Sequence, residues 1–104
     1  MTELSARFQL KLYVTGQTPR SERVIARVRE IAREYLPGDC EPIVIDVLEE
    51  PQMAERDRIL ATPTLIRQFP LPVRRIIGDL TDRPRVLAEL GLDDIPYNLH
   101  RPSH

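Results

Sequence analysis

In the run Ile59-Leu60-Ala61-Thr62-Pro63-Thr64-Leu65, a proline stands directly before a strand-forming segment that continues through Ile66 to Phe69. No other stretch limits the backbone so tightly. Proline has no N–H and holds φ near about −65°, so it belongs at the start or edge of a strand and not within a ladder. Thr62, the residue before it, is pushed toward extended conformations. Only about 5–6% of X–Pro bonds in folded proteins are cis. From sequence, both isomers stay open at Pro63, as they do at Pro70 and Pro72.

The segments on either side follow in a regular order. Phe8-Gln9-Leu10-Lys11-Leu12-Tyr13-Val14 alternates apolar and polar residues and reads as a first strand. Thr15-Gly16-Gln17 is a turn. Thr18 followed by Pro19 predicts a helix N-cap with proline in the first turn, and Glu22 sits where the helix dipole favours an anion. Val24, Val28, Ile31 and Tyr35, with Ile25, Ala32 and Leu36, recur at helical spacing and make one apolar stripe. Arginines and glutamates fill the other face, and Pro37-Gly38 is the expected stop.

Ile43-Val44-Ile45-Asp46-Val47-Leu48 is a nearly unbroken β-branched run. It predicts a strand buried on both faces and parallel to the first, with the helix as crossover. Pro51 opens a weaker helix through Leu60, expected to be irregular because its apolar positions are few: Met53, Ala54, Ile59 and Leu60. Thr64–Phe69 and Val73–Ile77, joined by Pro70-Leu71-Pro72, predict a hairpin. Asp82 with Pro84 starts a last helix carrying Val86, Leu87 and Leu90, which ends at Gly91. Residues 1–7 are expected to form an N-terminal arm, 8–92 one α/β domain of order βαβαββα, and 93–104 a loose tail.

Charge and composition narrow the function. A net charge of −1 and a pI near 6.1 supply no electrostatic basis for binding nucleic acid or anionic membranes. No apolar run reaches the roughly 18 residues of a membrane span. Met1-Thr2-Glu3-Leu4 lacks the regions of a signal peptide. Its single cysteine, Cys40, cannot form an internal disulfide. Together these make a cytoplasmic protein the expectation.

The βαβαββα order, with a proline opening the third strand, resembles the thioredoxin fold, whose cis-proline faces a redox motif. An enzyme of that kind needs two thiols at the start of the first helix, where the helix N-terminus lowers the attacking sulfur's pKa. This chain has Thr18-Pro19-Arg20-Ser21 there, with the right spacing and no sulfur. Intramolecular disulfide chemistry is excluded by stoichiometry. A single-thiol redox or sensor protein using Cys40 is the alternative, and it needs Cys40 near Pro63.

Other chemistries find little. His100 and His104 lie in the tail without metal-site spacing, and four glycines, none in a Gly-rich loop, do not make a phosphate cradle. Asp46 fits the role of a strand-end carboxylate bonding a turn. Arg74-Arg75 fits an anion or acidic partner, or a solvated pair of which one points outward. No enzyme activity, cofactor or metal is expected.

Four motifs carry a more specific resemblance. Leu10–Val14 with Gly16 and Thr18-Pro19, Val44–Leu48 with Pro51-Gln52, Ile59–Leu65, and Pro72-Val73-Arg74-Arg75-Ile76-Ile77-Gly78-Asp79-Leu80 are similar, in register over about residues 8–87, to the KaiB family of circadian-clock proteins. The resemblance implies a non-catalytic adaptor that docks on the ring-shaped ATPase KaiC, helps sequester KaiA and opposes KaiC phosphorylation. It implies use of the first helix and the segment after Pro51, hence Gln52, Glu55, Arg56 and Arg58 as partner-binding residues, beside Arg74 and Arg75. It also implies a second, rearranged resting fold that is tetrameric. Pro63, Pro70 and Pro72 are then the candidate fold-determining prolines. Local signals favour the thioredoxin-like state, as a monomer or dimer.

Overall fold

The computed structural model describes residues 8–36 and 40–92. The expected arm, the helix stop at Pro37-Gly38, and the tail with His100 and His104 lie outside the described residues. The elements are β1 (Gln9–Val14), α1 (Pro19–Tyr35), β2 (Ile43–Asp46), α2 (Pro51–Arg56), β3 (Thr64–Phe69), β4 (Arg74–Ile77) and α3 (Arg83–Leu90). They build a mixed four-stranded sheet of order β2-β1-β3-β4. β2 runs parallel to β1 across the α1 crossover, while β3 and β4 pair antiparallel, Thr64 opposite Ile77 and Arg67 opposite Arg74. This is the thioredoxin-like arrangement.

The period-2 alternation of β1 divides the molecule into two layers. Leu10, Leu12 and Val14 face α1 and α3, where Val24, Val28 and Ile31 meet Leu65, Ile76, Val86 and Leu90. Tyr13 points the other way, joining Ile45 and Ile66 beneath Met53, Ala54 and Ile59. One side of the sheet therefore carries two helices and a continuous core. The other carries the six-residue α2 with Val47 and Ile59 from the loops beside it, and Ile43, Arg75 and Ile77 stay exposed.

Local signals explain the start of α1 and both ends of α3. The Thr18 hydroxyl accepts from the Ser21 N–H at 3.0 Å, and Pro19 begins α1. Asp82 caps α3 in the same way, and Gly91 ends it at φ +81°, a left-handed position that glycine takes without Cβ strain.

The structure corrects the expectation for β2. It is an edge strand, not one buried on both faces, and it stops at Asp46. Ile43 is 59% exposed and Leu48, in the following turn, 67%. A β-branched run signals strand, but which flank it occupies depends on its partners. β2 pairs with β1 alone, and the Asp46 carboxylate ends it by accepting from the Gly16 and Leu48 N–H groups, each at 2.9 Å.

α2 is shorter than the run to Leu60 suggested. The N–H of Arg58 bonds Glu55 O at 3.0 Å and that of Ile59 bonds Ala54 O at 2.9 Å. This is the paired closure of a Schellman end, with Ile59 folding back on Ala54. The left-handed residue is Arg58, at φ +56°, where glycine is usual.

Candidate functional site

In thioredoxin-like folds the chemistry lies where the start of the first helix faces the proline before the third strand. Here that place is a cleft of about 210 Å³, lined by Thr15, Thr18, Arg20, Ser21, Thr62 and Pro63. Thr62-Pro63 is a cis peptide, as are Phe69-Pro70 and Leu71-Pro72. Hydroxyls occupy the positions where thiols would act. The Thr15 and Thr62 Oγ1 atoms share a hydrogen bond at 2.5 Å, and the Ser21 Oγ donates to the Thr15 carbonyl at 3.3 Å. Among the described residues no His or carboxylate stands against these hydroxyls as a base, so the cleft lacks an activated nucleophile.

Cys40 lies at the opposite end of the sheet. Its Sγ donates to the Phe8 carbonyl at 3.2 Å, just before β1, whereas Thr64, next to Pro63, pairs with Tyr13 near the far end of that strand. The length of strand between them is roughly 17 Å. Burial, with the Glu41 charge second, pushes the Cys40 thiol above its ordinary pKa. A half-buried thiol held protonated is a poor nucleophile. Asp46 bonds the backbone N–H groups of two turns, in keeping with a structural role.

The candidate partner-binding residues fall elsewhere. Gln52, Glu55 and Arg56 lie exposed on α2, and Arg58 lies exposed just beyond it. The Arg75 guanidinium reaches across from β4 and donates to the carbonyls of Asp57 and Arg58. The end of α2 and β4 therefore form one surface. Leu60, 94% exposed, follows it directly. Arg74 does not join this surface. Side chains alternate along β4, so Arg74 faces the α3 side, near Arg67.

Sequence reasoning missed the residues beneath that surface. Asp57 Oδ2 accepts from Lys11 Nζ at 2.8 Å and from the Tyr13 hydroxyl at 2.5 Å. Those hydrogen bonds, Lys11's foremost, hold the Asp57 carboxyl below the usual carboxylate range. Burial, with the Asp57 bond second, pushes the Tyr13 phenol up to about 12. Lys11 and Tyr13 share the α2 face of β1 by their spacing, and polar tips on a covered strand face call for a partner. That was the available signal, though it did not say which carboxylate would answer it. Arg67 was missed as well. It is buried on the core side and donates to Leu90 O at 2.9 Å and Pro72 O at 2.7 Å. Burial lowers its pKa, with Arg74's charge adding to the effect.

These features define a thioredoxin-like domain with hydroxyls at the redox position, a remote thiol and an exposed arginine-bearing face. The solution structure of the N-terminal domain of Synechococcus elongatus SasA shares its fold at a TM-score of 0.67 and 27% identity, covering 85% of this chain and 87% of that one. A designed protein, 23% identical, matches the fold at a TM-score of 0.65 over 85% of this chain and 78% of its own. The KaiB domain family model matches residues 11–92, and this chain belongs to the KaiB family. The circadian clock oscillator protein KaiB of Trichodesmium erythraeum is 52% identical over 104 residues, covering 100% of this chain and 98% of that protein. A counterpart in Prochlorococcus marinus is 58% identical over 84 residues, 81% of this chain and 70% of that one. A clock-associated role is thus supported for this chain. Among the described residues no helix is long and apolar enough to cross a membrane, and no His, Cys, Asp and Glu cluster suits a metal ion.

Proposed function

We propose that this chain is a non-catalytic, cytoplasmic adaptor that docks on a KaiC-type ring ATPase and modulates its phosphorylation, in circadian or stress signalling. KaiA is a further candidate partner. The observation that carries the reading is the α2–β4 face. Arg56, Arg58 and Arg75 stand exposed there beside Leu60, and no described carboxylate forms an ion pair with them. Arginine is enriched at protein interfaces, and an exposed leucine recovers roughly 1.5–3 kcal/mol when fully buried. The other half of the reading comes from chemistry: the chain has no thiol at the helix turn, and Cys40 sits at the wrong end of the sheet.

A pull-down with a recombinant KaiC hexamer, with and without ATP, tests the reading. The wild-type chain is expected to be retained, and Arg58→Ala/Leu60→Ala to lose at least tenfold of that retention while keeping its melting transition. A wild-type chain that never co-elutes with the hexamer under either condition would sink the proposal.

A further inference from the structure

Arg58 adopts a backbone conformation that costs an L-residue of order 1 kcal/mol or more, and the surroundings must hold it there. The restraint comes from three directions. From β1, Lys11 and Tyr13 hold the Asp57 carboxylate at 2.8 and 2.5 Å. From β4, Arg75 spans the carbonyls of Asp57 and Arg58. From α2 itself, Glu55 O and Ala54 O take the Arg58 and Ile59 N–H groups. Asp57 is where these restraints meet. Its side chain is tied to one strand and its main chain to another.

Resting on the adaptor reading, we infer that Asp57 and Arg75 are positioning residues for docking: together they fix the turn at Arg58, and with it the placement of Arg56, Arg58 and Leu60 as one preformed surface. Neither needs to touch the partner to matter. Without the clamp, Arg58 would return to a negative φ and the surface would have to be ordered at the moment of association, at a cost in affinity. Other observations are consistent with this arrangement. Tyr13 is buried, and its hydroxyl lies nearer Asp57 Oδ2, at 2.5 Å, than the Met53 carbonyl, at 3.2 Å, both within or just after α2. Arg75, itself exposed, spends two donors on carbonyls and not on a carboxylate.

The test uses the full chain and two readouts. The first is hydrogen exchange of individual backbone amides by NMR. Asp57→Ala and Arg75→Gln should each speed exchange at Arg58 and Ile59 by tenfold or more, leaving the β1 amides unchanged. Adding Arg58→Gly to Asp57→Ala should restore that protection, because glycine holds a positive φ unaided; a general loss of stability would not be rescued this way. The second is affinity for an ATP-loaded KaiC hexamer from Synechococcus elongatus. Asp57→Ala and Arg75→Gln should each weaken it at least fivefold, and the double variant should be little worse than either single one. Unchanged exchange at Arg58 and Ile59, or changed exchange with unchanged affinity, overturns the inference. If the wild-type chain does not bind the hexamer, the adaptor reading fails, and the exchange arm still decides whether Asp57 and Arg75 hold the turn.

Discussion

Single side chains set how this protein responds to pH. Tyr13 is buried, and its folded pKa of about 12 lies above the ordinary value of 10.0. A group raised in this way contributes stability that is complete below pH 10 and is lost as pH climbs toward 12. At full expression the contribution is about 2–3 kcal/mol. Thermal melts across that window should fall for the wild type, and Tyr13→Phe should flatten the decline. Asp57 acts in the opposite sense. Its carboxyl is lowered by the Lys11 and Tyr13 bonds, so its contribution is present above the usual carboxylate range and disappears as pH drops through the lowered value. Asp57→Asn should remove part of the acid limb and leave the neutral plateau lower. Cys40 belongs at this scale too. Replacing it with serine should leave ATPase retention unchanged in a pull-down, and a total loss would revive the thiol-sensor reading.

At the level of elements, the two helix ends carrying Schellman closures make an informative pair. At Gly91 the left-handed residue is a glycine, so the stop of α3 could be read from the chain. At Arg58 an arginine takes the same conformation, so nothing local announced where α2 ends. Opposite substitutions should have opposite effects. Gly91→Ala should cost roughly 1 kcal/mol or more, from the positive φ and because the new Cβ would stand 3.3 Å from Arg67 Nη1. Arg58→Gly should be neutral or slightly stabilising in a denaturant melt. α1 behaves as its stripe promised. Ile31 is 1% exposed, and Ile31→Ala should cost about 2–5 kcal/mol, measured the same way. Cross-element ties such as Arg83 to Glu30 and Glu34 are partly solvated and contribute less, about 0–1 kcal/mol each.

For the molecule as a whole, one consequence follows from the lopsided sheet. Two helices and most of the core lie on one face, a six-residue helix on the other, and the exposed arginines and Leu60 border the thinly covered side. A chain in this arrangement should elute from a sizing column as a monomer or dimer; a clean tetramer would favour the rearranged resting state.

Periodicity, caps and punctuation by themselves determined the βαβαββα order, the start of α1 at Thr18, the hairpin across Pro70–Pro72, the end of α3 and the absence of a dithiol. These are short-range properties, written within a few residues of where they act. Tertiary structure alone decided that β2 lies at an edge, that Arg75 joins the α2 surface while Arg74 does not, that Arg67 is buried, and that Asp57 serves Lys11 and Tyr13. Each depends on partners brought together from distant parts of the chain. Asp57 and Lys11 are separated by 46 positions, and no local pattern records which carboxylate will meet which buried donor.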